Sequence, residues 1–193
     1  MKQVAVLLSG CGVYDGSEIQ EAVLTLLYLD QLGASVRCFA PDREQAHVIN
    51  HQSGDVAKGE KRNVLVEAAR ICRGKIEDLA TLQANDFDAL LLPGGFGAAK
   101  NLCSFAFDGA NLKIEPSVQR VLKDFHAQKK PIGILCIAPV IAAKVLGASV
   151  TIGEDAEVAD AIKAIGGSHV KRPVNDIHID PDHNVVSAPA YMY

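Results

Sequence analysis

The chain reads as an α/β protein built on a mostly parallel sheet, and three observations carry that reading. The run Gln3 to Ser9 is continuous in Val, Ala and Leu rather than alternating, as expected of a strand buried on both faces. A glycine-containing loop, a helical pattern and a second short strand follow it, making a βαβ unit whose crossover should be right-handed. Further on, Lys129 to Gly147 (KKPIGILCIAPVIAAKVLG) sets a four-residue apolar run directly against another helical pattern. With 193 residues, 49% of them hydrophobic and 22% charged, one domain over 1–193 with a sizeable core is expected.

The elements follow in order. After the first strand, Ser9 to Ser17 (SGCGVYDGS) is a loop, since three glycines and an aspartate turn the chain. Ser17 is the expected cap of a helix to about Leu32, with Ile19, Val23, Leu26, Leu27 and Tyr28 as its apolar face. Gly33 stops it, and Ser35 to Ala40 is the second strand, closed by Pro41. Residues 42–60 lack a period and suggest a loop or short helical excursion. Lys61 to Cys72 patterns as a helix, and residues 74–86 hold a short buried element around Ile76, Leu79 and Leu82. Phe87 to Leu92 is a core strand cut off by Pro93-Gly94-Gly95. Phe96 to Asn111 reads as loop and short helix over the sheet edge, and Pro116 opens a helix through Ala127. Short strands are expected at 149–152, His169 to Lys171, Asp176 to Asp180 and Val185 to Ala188, with a helix from Glu154 to Ile165. Pro181-Asp182-His183-Asn184 makes the last two strands an antiparallel hairpin at one sheet edge.

Composition narrows the function classes. A formal charge of −4 without a basic patch speaks against a nucleic-acid partner. Five scattered cysteines, Cys11, Cys38, Cys72, Cys103 and Cys136, fit a reducing compartment, and a cytoplasmic protein is expected. Val4 to Leu8 is only strand length, so neither a signal peptide nor a membrane span is expected. The loop at 9–17 has GxGxxxG spacing rather than the dinucleotide GxGxxG, so no such cofactor is expected. The six histidines show no metal-ligand spacing, and no metal site is expected. Self-association through a helix or the hairpin edge, most simply as a homodimer, fits the need to cover edges.

Three features should meet at the carboxyl edge of the sheet. Cys136 lies in the turn between strand and helix, where the helix N-terminus favours thiolate; the alternative is a buried, inert cysteine. Gly94 and Gly95 follow an adjacent strand and offer backbone N–H groups to an oxyanion, or simply end the strand. Glu18 and Glu21 open the first helix, either as a proton carrier beside the thiol or as favourable charge in a first turn. Cys11 in the glycine loop is a redox candidate or a plain loop cysteine. Asn101 offers its amide to a ligand or serves the loop.

These residues lie in motifs that resemble the ElbB-like proteins, named for enhancing lycopene biosynthesis, within the PfpI and class I glutamine amidotransferase-like superfamily. The motifs are SGCGVYDGSEIQEAV at 9–23, LLLPGGFGAAKNL at 90–102, GILCIAP at 133–139 and SAPAYM at 187–192. The resemblance implies a flavodoxin-like three-layer sandwich with helices on both faces. Usual members continue into a C-terminal helix that this chain is expected to lack. It also implies a nucleophile-elbow Cys136, a carboxyl at Glu21, and an oxyanion site from Gly94, Gly95 and the N–H of Ile137. ElbB-like proteins have been described as cofactor-free glyoxalases (lyases of the D-lactate dehydratase type) and were earlier connected to isoprenoid biosynthesis. The expected function is therefore conversion of glyoxal or methylglyoxal to a hydroxy acid. The alternative is a non-catalytic binding or redox-sensing protein with a reactive cysteine. The family's histidine beyond the nucleophile is absent from Thr151 to Asp155, so a complete Cys-His-acid triad is not expected. His169 and His178 remain as spatial substitutes.

Overall fold

The first strand decides the layering. In β1 (Gln3–Leu7) Val4 and Val6 face one side of the sheet with Leu8, and Ala5 and Leu7 face the other. All five are buried, so both faces must be covered. A computed structural model describes residues 1–192. It contains a seven-stranded sheet in the order β3-β2-β1-β4-β5-β9-β8, parallel except for the last pair. The strands are β1, β2 (Ser35–Ala40), β3 (Ile76–Asp78), β4 (Ala89–Leu92), β5 (Ile132–Leu135), β8 (His178–Asp180) and β9 (Val185–Ala188). Two further strands, β6 (Ser149–Val150) and β7 (Ser168–His169), form a separate parallel ribbon.

On one face α1 (Ile19–Gln31) and α2 (Val64–Ala68) pack through Ala22, Val64 and Ala68 against Val4, Val6, Leu8, Cys38 and Ala40. On the other, α4 (Pro116–Ala127), α5 (Pro139–Leu146) and α6 (Ala156–Ala164) cover the larger core, which includes Phe39, Phe125, Ile132 and Ile134. A short α3 (Phe105–Asp108) follows one turn of π-helix, Ala98–Leu102. The expected flavodoxin-like sandwich with a C-terminal antiparallel pair is what the chain forms. No helix among the described residues is long and apolar enough to cross a membrane.

Two expectations are corrected here. Ser17 does not cap α1: it is buried, and its Oγ accepts the Ser9 N–H at 2.8 Å. Glu18 takes the cap, accepting from the Glu21 N–H at 2.6 Å. The expected apolar face of α1 is also largely outward, with Ile19, Val23, Leu27 and Tyr28 exposed while Glu21 and Ala22 are buried. Small Ala22 sets the close approach to the sheet, and that rotation carries Glu21 inward. Periodicity locates an apolar stripe but not the neighbour it faces.

The helix expected over Lys61 to Cys72 shrinks to α2 for a local reason. Asn63 caps it by accepting from the Val66 N–H, and left-handed Arg73 (φ 56°) and Gly74 (φ 81°) turn the chain soon after.

Candidate active site

The carboxyl ends of β1, β4 and β5 converge on Cys136. β5 ends at Leu135 and α5 starts at Pro139, so the turn has three residues in which to reverse direction. Cys136 holds φ 61°, a left-handed conformation that costs a side-chain-bearing residue about 1–3 kcal/mol. Flanking strands hold it there: the Cys136 N–H donates to the Ala188 carbonyl on β9 at 3.0 Å, and the Ala138 N–H to Leu135 at 3.0 Å.

Glu21 reaches the same point from α1. Its Oε2 accepts the Gly94 N–H at 2.7 Å, and its Oε1 is buried without a partner of hydrogen-bonding geometry. The groups nearest the carboxyl include the Cys136 thiol and the backbone of Tyr191. Tyr191 in turn donates its hydroxyl to Gln20 at the start of α1. Burial raises the Glu21 pKa above the ordinary carboxyl value. The Gly94 N–H opposes that rise, and the charge of Glu18 adds to it.

Gly94 is glycine for room rather than for backbone freedom. A Cβ there would lie 2.2 Å from Cys136 Cβ, 2.7 Å from Glu21 Oε2 and 2.9 Å from Cys136 Sγ. Gly95 (φ 97°) needs both, because a Cβ would stand 2.3 Å from the Glu18 nitrogen. The N–H groups of Gly95 and Ile137 lie close enough to the Cys136 sulfur to favour its ionised form.

The thiolate expected from the helix N-terminus is corrected by this environment. Cys136 is 7% exposed, and burial, followed by the negative Glu21, pushes its thiol up to about 12. The Gly95 and Ile137 N–H groups pull it down by less. At neutral pH the resting group is a thiol beside a carboxyl, so attack requires a proton to move. The Gly94 N–H, expected at an oxyanion, is instead spent on Glu21.

Above the thiol lies a cavity of about 310 Å³, walled by Phe96, Phe105, Ile137, Val158, Tyr191 and Met192 among others. No histidine lines it. His178 binds Ser149 Oγ at 2.9 Å, and His169 sits on β7, so neither completes a triad. Among the described residues no group of three or more His, Cys, Asp or Glu is arranged to hold a metal.

The remaining candidates do not line the cavity. Glu18 caps α1 and biases Glu21. Cys11 is half-buried, its thiol raised by burial and by the charge of Glu67, and it does not line the cavity. Asn101 does not offer its amide to a ligand. It is 2% exposed and donates to the carbonyls of Ser9 (2.9 Å) and Asp15 (2.8 Å) while accepting the Ala46 N–H (3.0 Å). It ties the 9–17 loop to two other segments. Asp15, missed by the sequence reading, adds another bond, its Oδ2 accepting the Ile49 N–H at 2.7 Å. Its only signal was an aspartate among glycines, which any turn provides. Asn101→Ala should lower stability by about 2–4 kcal/mol, since buried carbonyls and an N–H lose their partner. Chemical denaturation monitored by circular dichroism checks this.

No family model matches the chain. It is 54% identical over 200 residues to the human glutamine amidotransferase-like class 1 domain-containing protein 3, mitochondrial, covering 98% of this chain and 75% of that one. It is 37% identical over 207 residues to the zebrafish (Danio rerio) ES1 protein, mitochondrial, covering 98% and 77%. Among solved structures it is similar to an isoprenoid biosynthesis protein with an amidotransferase-like domain from Ehrlichia chaffeensis, with TM-score 0.93, 41% identity and coverage of 100% and 89%. Drosophila melanogaster DJ-1beta shares the fold at TM-score 0.57 and 18% identity, covering 100% and 84%. The curated relatives are named mitochondrial, which overturns the cytoplasmic expectation. Free thiols report a reducing environment, and more than one compartment offers one. By this similarity, the chain belongs to the glutamine amidotransferase-like class 1 domain family that includes the ES1 proteins.

Proposed function

We propose that the chain is a cofactor-free glyoxalase-type enzyme of the ElbB-like branch, converting small 2-oxoaldehydes to 2-hydroxy acids. The observation that carries this is the buried Cys136–Glu21 pair, with the N–H groups of Gly95 and Ile137 near the sulfur and the thiol opening on a cavity without histidine. The motif resemblance supports the branch.

In the first step, Cys136 Sγ bonds to the aldehyde carbon, Glu21 takes the thiol proton and the carbonyl oxygen becomes an alkoxide facing Gly95 and Ile137. Protonation gives a hemithioacetal. Glu21 then moves the proton from C1 to C2 through an enediol, which turns the adduct into a thioester of the 2-hydroxy acid. Water cleaves the thioester, releasing the acid and restoring the thiol, so the net reaction consumes one water and no redox partner. A carboxyl with a raised pKa suits this alternation of base and acid near neutrality.

Amide hydrolysis is less well served, because no histidine lines the cavity to protonate a leaving amine. The alternative of a peroxide sensor is disfavoured by a buried thiol pushed up to about 12, since sensor thiols are exposed and acidic.

The test is lactate formation from methylglyoxal over many turnovers per protein, with the product's stereochemistry resolved by specific lactate dehydrogenases. Sustained production of one enantiomer is expected, and Cys136→Ser should abolish it. Stoichiometric aldehyde loss without lactate would reject the enzyme reading, and rapid peroxide oxidation alongside it would select the sensor.

A further inference from the structure

The walls around Cys136 carry information about the substrate beyond its reactive carbonyl. At about 310 Å³ the cavity sits at the low end of small-molecule pockets, which run from roughly 300 to 1,000 Å³. Methylglyoxal has five heavy atoms and would share that space with several waters, each occupying about 30 Å³. Its walls include the rings of Phe96 and Phe105 with Ile137, Val158 and Met192. Among the described residues, the one ionisable carboxylate on the wall is Asp155, already accepting the Val158 N–H at 2.9 Å as the cap of α6. No lysine, arginine or histidine lines the cavity. Lys100, whose ammonium lies 5.5 Å over the Phe96 ring, donates to the Tyr14 carbonyl and is not part of the wall. A substrate anion would thus lose its hydration, meet Asp155 and gain no cationic partner.

We infer that this site selects neutral 2-oxoaldehydes bearing an apolar group about the size of a phenyl ring or branched alkyl chain, over methylglyoxal and over anionic analogues. The inference rests on the glyoxalase-type reading above. Phenylglyoxal plus water gives mandelate by the same balanced sequence, with no co-reactant. Because the ring binds equally in ground and transition states, the advantage should appear in KM more than in kcat. Burying a ring of this size should give about a 10- to 100-fold gain in kcat/KM.

The experiment compares phenylglyoxal, methylglyoxal and 4-carboxyphenylglyoxal on the wild type and on Ala106→Phe. Ala106 is exposed at the cavity wall, so the added ring fills space without disturbing the core. Alongside it, the rate of Cys136 alkylation by iodoacetamide is followed by mass spectrometry, with acetophenone, acetone or benzoate as inert competitors. The expected result is a preference for phenylglyoxal over both others that shrinks in Ala106→Phe, with protection by acetophenone alone. If methylglyoxal or the carboxylated aldehyde turns over as well as phenylglyoxal, the selectivity is overturned while the enzyme reading stands. If nothing turns over yet acetophenone alone protects Cys136, the enzyme reading fails and the apolar selectivity survives as binding. If there is neither turnover nor selective protection, both are rejected.

Discussion

Glu21→Gln should slow 2-oxoaldehyde conversion by about 10²–10⁴-fold and at the same time make the protein more stable at neutral pH. The two effects have one cause. Burial raises the Glu21 pKa, so the fold disfavours the ionised carboxylate that catalysis needs as a base. The sign follows from proton linkage. A carboxyl whose folded pKa is raised binds protons more tightly folded than unfolded, so it costs nothing below the unfolded value and lowers stability as pH rises through the folded one. Glutamine keeps the acceptor for the Gly94 N–H and removes the charge. Denaturation midpoints of the two proteins should therefore coincide near pH 4 and separate in favour of Glu21→Gln by pH 8. Equal midpoints at every pH would remove the case for a penalised carboxylate, and retained activity would remove Glu21 from the mechanism.

Gly94→Ala should damage both the fold and the reaction, because the added methyl group strikes the thiol and the carboxyl together. The new carbon would stand 2.2 Å from Cys136 Cβ. Cys136 has no room to yield, because its amide is bonded to Ala188 and its backbone is already left-handed. Overpacking of this kind costs typically 1–3 kcal/mol, occasionally more. Displacing the sulfur from Glu21 by even about 1 Å should cost roughly 10²-fold in rate. Gly133→Ala is the control: its Cβ also meets an atom at 2.2 Å, but that atom is Cδ2 of Leu91, the end of a flexible half-buried chain. A rotamer change should absorb it with little loss of stability or activity. Comparable damage from both substitutions, measured by thermal melting and lactate production, would show that crowding near Gly94 is not specific to the thiol.

The strand-turn-helix around Cys136 was legible because every device in it is local. A buried apolar run, small Ala138 and helix-starting Pro139 leave little freedom for the residue between them. The hairpin at 181–184 was legible for the same reason. The placement of α1 was not. Its sequence is apolar at almost every position from Ala22 to Leu29, and only docking against β1 selects Ala22 as the contact and turns Leu24, Leu27 and Tyr28 outward. Asn101 had the same ambiguity: an amide in a polar loop serves a ligand or a neighbouring backbone equally well until the loop's partners are placed.

What the sequence determined by itself is the order of strands and helices, the alternation that buries both sheet faces, and the turns where glycine or proline leave one option. These are short-range consequences of sterics and apolar burial. The tertiary structure alone decided the chemistry of the site. It spent the Gly94 N–H on Glu21, brought those of Gly95 and Ile137 near the sulfur, and excluded every histidine from the cavity. It also reversed the expected state of Cys136, because a thiol's charge depends on the burial and the carboxylate around it, and that carboxylate, Glu21, comes from more than a hundred positions away.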